Sequence, residues 1–122
     1  MVTNITNLSR SGLYDWMLQR VSAVILGAYF LFVMGFLLMN PGVSYDQWMG
    51  LFKETWVRVF TLLTLVAVLA HAWVGMWTIV TDYLNDRAFG RQSVLIRFPV
   101  LLICFIALFS YLIWGVQILW GL

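Results

Sequence analysis

The sequence predicts an all-α membrane protein of three transmembrane helices, on three observations. Of its 122 residues, 63% are hydrophobic and 10% charged, whereas soluble domains carry about 25% charged residues. Asp, Glu, Lys and Arg are missing from three long stretches, 21–39, 59–81 and 98–122. Each is near the ~20 residues a helix needs to cross ~30 Å of hydrocarbon. Lipid offers no partner to peptide groups, so each stretch must satisfy its own N–H and C=O groups as a helix. The predicted spans are about 21–39, 57–82 and 98–120, within a single membrane-anchor domain, 1–122.

The elements follow in order. Residues 11–20 mix Leu13, Trp16 and Met17 with polar neighbours, which predicts a short N-terminal interfacial helix running into the first span. Asn40-Pro41-Gly42 is a turn signal that ends that span. Ser44 and Gln47 have the spacing of a capping box, and Trp48, Leu51, Phe52 and Trp56 recur at helical spacing. A surface helix leading into the second span is expected there. Pro99 suits the first turn of the third helix, where a missing N–H costs little. Twenty mostly polar residues precede the first apolar run, which does not read as a secretory signal peptide. The single cysteine, Cys104, excludes a disulfide within the chain.

Charge predicts orientation. Arg10, Arg20, Arg87, Arg91 and Arg97 fall on one side of the three spans, against Lys53 and Arg58 on the other. The positive-inside rule places the N-terminus and the 82–97 loop in the cytoplasm and the C-terminus in the periplasm of a bacterial inner membrane. Trp16, Trp48, Trp56, Trp114 and Trp120 fall near span ends, as amphipathic rings do. Trp73 and Trp77 lie too deep for such a belt and are expected to face lipid or a partner. Ala23 and Gly27 form a small-xxx-small pair suited to close helix contact.

His71 is the only histidine and lies inside the second span. An ionisable group there is expensive, and marks a candidate site. Imidazole can ligate haem iron, relay protons or hydrogen-bond a neighbouring helix. At ~100° per residue His71, Gly75, Thr78 and Asp82 share a narrow face, extended by Thr64 and Ala67. That face reads as a slot for a flat macrocycle or as a tight helix seam with one buried polar residue. Tyr83, twelve residues and ~18 Å along the helix from His71, can donate a hydrogen bond at the membrane edge. As a bland reading, Tyr83 is a belt residue, Asp82 a solvated helix end, and Arg20 a snorkelling, topology-setting charge. Cys104, Met34 and Met76 read as packing residues. Phosphate loops, cysteine clusters and catalytic triads are missing from the sequence.

The run from His71 to Trp77 (HAWVGMW), followed by Thr81-Asp82-Tyr83, resembles the signature of the small D-type cytochrome b anchor subunit of bacterial succinate dehydrogenase, respiratory complex II. Gly12, Asp15-Trp16 and Arg20-Val21-Ser22-Ala23 resemble that subunit's approach to its first helix, so the likeness covers nearly the whole chain. The resemblance implies one haem b held between two anchor subunits, with His71 as one axial ligand. It implies a ubiquinone site near the cytoplasmic face, where Tyr83 hydrogen-bonds a quinone carbonyl and Asp82 meets an arginine of the second cytochrome b anchor subunit. Arg20 corresponds to a cation near the haem propionates, and Gly75 to the haem pocket. An iron–sulfur subunit and a flavoprotein subunit are implied as partners, with membrane lipid and no nucleic acid. The chain has no residues for flavin or iron–sulfur chemistry, so alone it is not the enzyme. Set beside that resemblance, the arginine-rich 84–97 segment is longer than in the shortest family members. Three other readings stand beside this one: a fumarate reductase-type anchor, a non-haem structural or transport subunit, and a single-chain cytochrome b, which needs a second ligand. Transporters tend to show inverted repeats or broken helices, and neither is found.

Overall fold

The computed structural model describes residues 12–85, 87 and 90–121. Arg10, Ser11 and Asp86, which entered the orientation and loop readings, lie outside them. Helices α1 (Gly12–Met39), α2 (Tyr45–Lys53), α3 (Thr55–Tyr83) and α4 (Ser93–Trp120) account for most of the described chain, with a short 3-10 turn at Gly90–Gln92 before α4. Among the described residues no strand is present. α1, α3 and α4, the last with the turn before it, are each long and apolar enough to cross a membrane.

The residues expected to form an interfacial helix are the opening turns of α1, continuous with the span. Leu13, Trp16 and Met17 are all exposed. After α1 the chain turns at Asn40-Pro41-Gly42, where Gly42 has φ +72°, a conformation that costs glycine little. The Asn40 side chain helps close the helix by donating to the Phe36 carbonyl at 2.9 Å. The capping box forms as read. The Ser44 side chain accepts from the Gln47 amide at 3.2 Å, and Gln47 Oε1 accepts from the Ser44 amide at 2.9 Å. α2 passes into α3 through Glu54 alone, whose backbone is extended (φ −67°, ψ 131°). Arg58, early in α3, donates from Nε to the Phe52 carbonyl at 3.1 Å. A carbonyl in the last turn of α2 is thereby satisfied beside the membrane.

One boundary differs from expectation. α4 begins at Ser93, so Pro99 stands inside the helix and Arg97 belongs to it, not to the preceding connection. Ser93 is fully buried, and Arg97 Nη2 donates to Ser93 Oγ at 3.4 Å, one turn along. Absence of charge marks only the hydrocarbon part of a helix, and α4 extends past it with polar residues. Pro99 removes the amide that would bond the Leu95 carbonyl in a regular helix. Membrane helices tolerate such a loss where other groups or water re-satisfy the carbonyl.

α3 is the middle of the structure, packed against α1 and α4, with α2 also in contact with it. Aromatic rings fill the α1–α3 seam at the end near α2: Tyr29 meets Phe60 edge-on at 5.1 Å and Phe32 meets Trp56 at 5.4 Å. On the α4 side the fit is closer. A Cβ added at Gly115 would lie 2.7 Å from Leu65 Cδ1. Trp73 packs edge-on against Phe105 at 6.3 Å. Trp73 and Trp77 line a crevice of about 450 Å³ between α1, α3 and α4. They therefore face the chain's own α4 side, where the sequence reading put lipid or a partner. The spacing of Val66, Ala70, Trp73 and Trp77 sets them on one face of α3.

Candidate functional site

His71 lies midway along α3, half-buried, on the side that meets α1. Its Nδ1 is 3.1 Å from Ser22 Oγ, across 49 residues of sequence. Ser22 is itself buried, and its hydroxyl donates to the Gln19 carbonyl at 2.9 Å. Among the described residues no group is hydrogen-bonded to Nε2 of His71. Farther along the same seam, about two turns on α1 and three on α3, Tyr29 Oη is 2.9 Å from Thr61 Oγ1. Thr61 donates its own proton to the Val57 carbonyl at 2.7 Å, which makes Tyr29 the donor between the helices. Two polar cross-links therefore register α1 against α3, and one of them ends on the candidate ligand.

The slot read from the sequence is partly closed and partly open. Thr64 and Ala67 are buried, on the side of α3 that Thr61 and His71 also use. A Cβ built on Gly75 would meet nothing within 4 Å. One turn from the imidazole there is open space, in contrast to the filled contact at Gly115. The large crevice is elsewhere. Its α3 residues, Val66 to Trp77, centre ~120° around the helix from His71, and His71 is not among its walls.

Asp82 and Tyr83 fall in the last turn of α3, both exposed. Tyr83 keeps 70% of its surface accessible. The helix closes just beyond them, with the Leu84 amide donating to the Val80 carbonyl at 2.9 Å and Asn85 Nδ2 to the Asp82 carbonyl at 2.8 Å. These bonds hold the main chain and leave the two side chains to the surface. Arg20 is exposed on α1, its guanidinium 5.4 Å from the ring centre of Trp16. Two residues from Ser22, it is turned ~160° around the helix from the seam, and among the described residues it makes no contact with His71. Ala23 and Gly27 are likewise exposed. Cys104 is a half-buried free thiol in α4. Among the described residues no cluster of three or more metal-ligating side chains occurs.

The structure thus unites His71 with Ser22, leaves space at Gly75, and keeps Asp82, Tyr83 and Arg20 at the surface. Ser22 is the partner that sequence reasoning missed. It stood within the quoted Arg20–Ala23 run, but the register that sets it opposite His71 belongs to the pairing of two helices.

These features define a class: a multi-pass helical membrane protein with a polar contact, His71 to Ser22, embedded between its spans. Residues 2–113 match the family model described as succinate dehydrogenase/fumarate reductase transmembrane subunit, and the chain belongs to that family. It is 37% identical over 116 residues to the succinate dehydrogenase hydrophobic membrane anchor subunit of Coxiella burnetii, covering 95% of each chain. The subunit of the same name from Rickettsia prowazekii is 29% identical over 108 residues, covering 88% of this chain and 84% of the relative. That from Rickettsia typhi is 28% identical over 105 residues, with 86% and 82% covered. With three candidate spans and bacterial membrane-anchor relatives, the chain is a multi-pass protein of a bacterial inner membrane.

Proposed function

We propose that the chain is the hydrophobic membrane anchor subunit of a succinate:quinone oxidoreductase. In this reading His71 gives one axial ligand to a haem b shared with a second anchor subunit, and Tyr83 and Asp82 form part of a ubiquinone-reduction site. The observation that carries it is the chain's one imidazole, set within a span, engaged at Nδ1 and without a described partner at Nε2. A neutral imidazole nitrogen suits haem iron. The residues fit the group in donor chemistry, and a Cβ at Gly75, one turn from the imidazole, would meet nothing within 4 Å. The chain's one histidine would supply one ligand to the iron, and this reading assigns the second to the companion anchor. Bound there, the haem would supply a one-electron carrier.

The remaining work falls to the chain's own groups. Arg20 stands two residues, ~3 Å of helix, from the level of Ser22, and its exposed guanidinium can leave Trp16 for a propionate. The Tyr83 hydroxyl donates to a quinone carbonyl. Asp82 pairs with an arginine of the companion anchor and fixes that end of the pocket. A helix end at the membrane rim serves this chemistry well: apolar quinone arrives through lipid, and water supplies the two protons that accompany two electrons to give quinol. The N-terminus and the connection before α4, with Arg87 and Arg91, face the cytoplasm. An iron–sulfur subunit and a flavoprotein subunit dock on that side, and succinate oxidation belongs to them.

The test is purification of the complex from native membranes in mild detergent, with a dithionite-reduced minus oxidised spectrum. A b-type signal with three companion subunits is expected. His71→Ala should abolish low-spin haem b, and an unchanged spectrum in the assembled variant would remove the ligand assignment.

A further inference from the structure

In the seam between α1 and α3, the hydrogen bonding at His71 turns on Ser22. Ser22 has a single hydroxyl proton and sits between two acceptors, the Gln19 carbonyl at 2.9 Å and His71 Nδ1 at 3.1 Å. Two arrangements exist. If Ser22 donates to His71, then Nδ1 is the bare nitrogen, the ring proton is on Nε2, and the cluster makes one hydrogen bond from these groups. If Ser22 donates to Gln19, His71 Nδ1–H donates to Ser22 Oγ, and the cluster makes two. Either way Nε2 lacks a described partner, so its cost is similar in both. The second arrangement wins by one hydrogen bond, in a medium that offers no water to replace it. Serine hydroxyls in helices commonly donate back to the carbonyl three or four residues earlier, which favours the same outcome.

We propose that Ser22 is a positioning residue for His71: its oxygen accepts the Nδ1 proton and holds the ring in the tautomer that presents the Nε2 lone pair. The inference rests on the reading of His71 as an axial ligand. Metal-bound histidines usually donate their second ring N–H to a nearby acceptor, which fixes orientation and raises ligand basicity. Here the acceptor comes from a different helix. Ser22 therefore ties the ligand's electronics to the register of α1 on α3, and loosening that seam loosens the ligand.

Two measurements test it. The chain has one histidine, so ¹⁵N-histidine labelling of the full, haem-free chain in detergent gives a single pair of ring resonances. A protonated Nδ1 and a bare Nε2 are expected in the wild type, with a shift toward the other tautomer in Ser22→Ala. A wild-type ring protonated at Nε2 overturns the proposal. In the assembled complex, Ser22→Ala should weaken haem retention about tenfold, within the range for lost partners of metal ligands. The donated bond raises imidazole basicity and so favours the ferric state. A tenfold loss confined to that state is a rise of about 59 mV in midpoint potential for one electron. Ser22→Thr, which keeps the hydroxyl, should restore both values. Wild-type retention and potential in Ser22→Ala overturn the proposal even if His71→Ala loses the haem. A wild-type haem signal in His71→Ala instead overturns the ligand assignment beneath it.

Discussion

Gly75 and Gly115 both lie within spans, and the structure predicts opposite consequences for filling them. At Gly115 an added Cβ would stand 2.7 Å from Leu65 Cδ1. Carbon atoms pack comfortably at about 3.5–4.0 Å, so the α3–α4 seam must yield by roughly 1 Å. Overpacking of this kind costs about 1–3 kcal/mol, toward the low end here because the Leu65 methyl can rotate. At Gly75 the same Cβ would meet nothing within 4 Å. Both substitutions gain the same helix propensity, about 1 kcal/mol in Ala over Gly, and the difference between them isolates the clash. Gly115→Ala should therefore unfold more readily than Gly75→Ala by about 1–3 kcal/mol, read by denaturant titration of the full chain in mixed micelles. Haem content of the assembled complex should rank the other way for bulky side chains. Gly75→Leu should lose haem, because its side chain enters the space assigned to the macrocycle. Equal stabilities of the two alanine variants would show that α4 is not seated as closely as Leu65 and Gly115 indicate. Wild-type haem in Gly75→Leu would move the macrocycle away from this face.

Further outcomes are expected at the other named groups. Tyr83→Phe removes an exposed hydroxyl, so succinate reduction of an artificial dye should stay near wild type while quinone reduction falls. Equal loss in both assays would point to assembly instead. Thr61→Val removes the acceptor for Tyr29 and should destabilise the α1–α3 seam by about 0.6 kcal/mol, and at most about 1.7. A double-mutant cycle with Tyr29→Phe should show coupling of the same size, and additive effects would remove the cross-link from the account.

The three spans were legible because composition alone excludes water as the solvent, and the capping box at Ser44 and Gln47 because a cap is local. His71 stood out because one imidazole in an apolar run has no bland neighbours to hide among. What escaped reading depends on how two helices meet. The bond from His71 to Ser22 and the cross-link from Tyr29 to Thr61 follow from the register of α1 on α3, which neither helix's own periodicity contains. Depth sets Trp73 and Trp77 toward lipid or a partner, and only the position of α4 shows that Trp73 meets Phe105 and that both line the crevice. The start of α4 was misplaced because a gap in charge marks hydrocarbon, and Ser93 and Arg97 continue the helix beyond it.

The exposed surface of α1 and the unpartnered side of His71 bear on the same question. Arg20, Ala23 and Gly27 share a face of α1 turned away from α3 and exposed, although small residues of that spacing suit close helix contact. His71 meanwhile uses only Nδ1 within the described chain. A polar atom left without a partner in an apolar medium costs free energy, and an aliphatic residue at position 71 would avoid that cost while filling the seam. Retaining imidazole there makes physical sense if the assembled state satisfies Nε2 with something the chain lacks. Under the proposed reading that is haem iron with its second ligand on another subunit. The chain then gains its last stabilising contact only on assembly, and loss of the haem should weaken the attachment of this subunit as well as its spectrum.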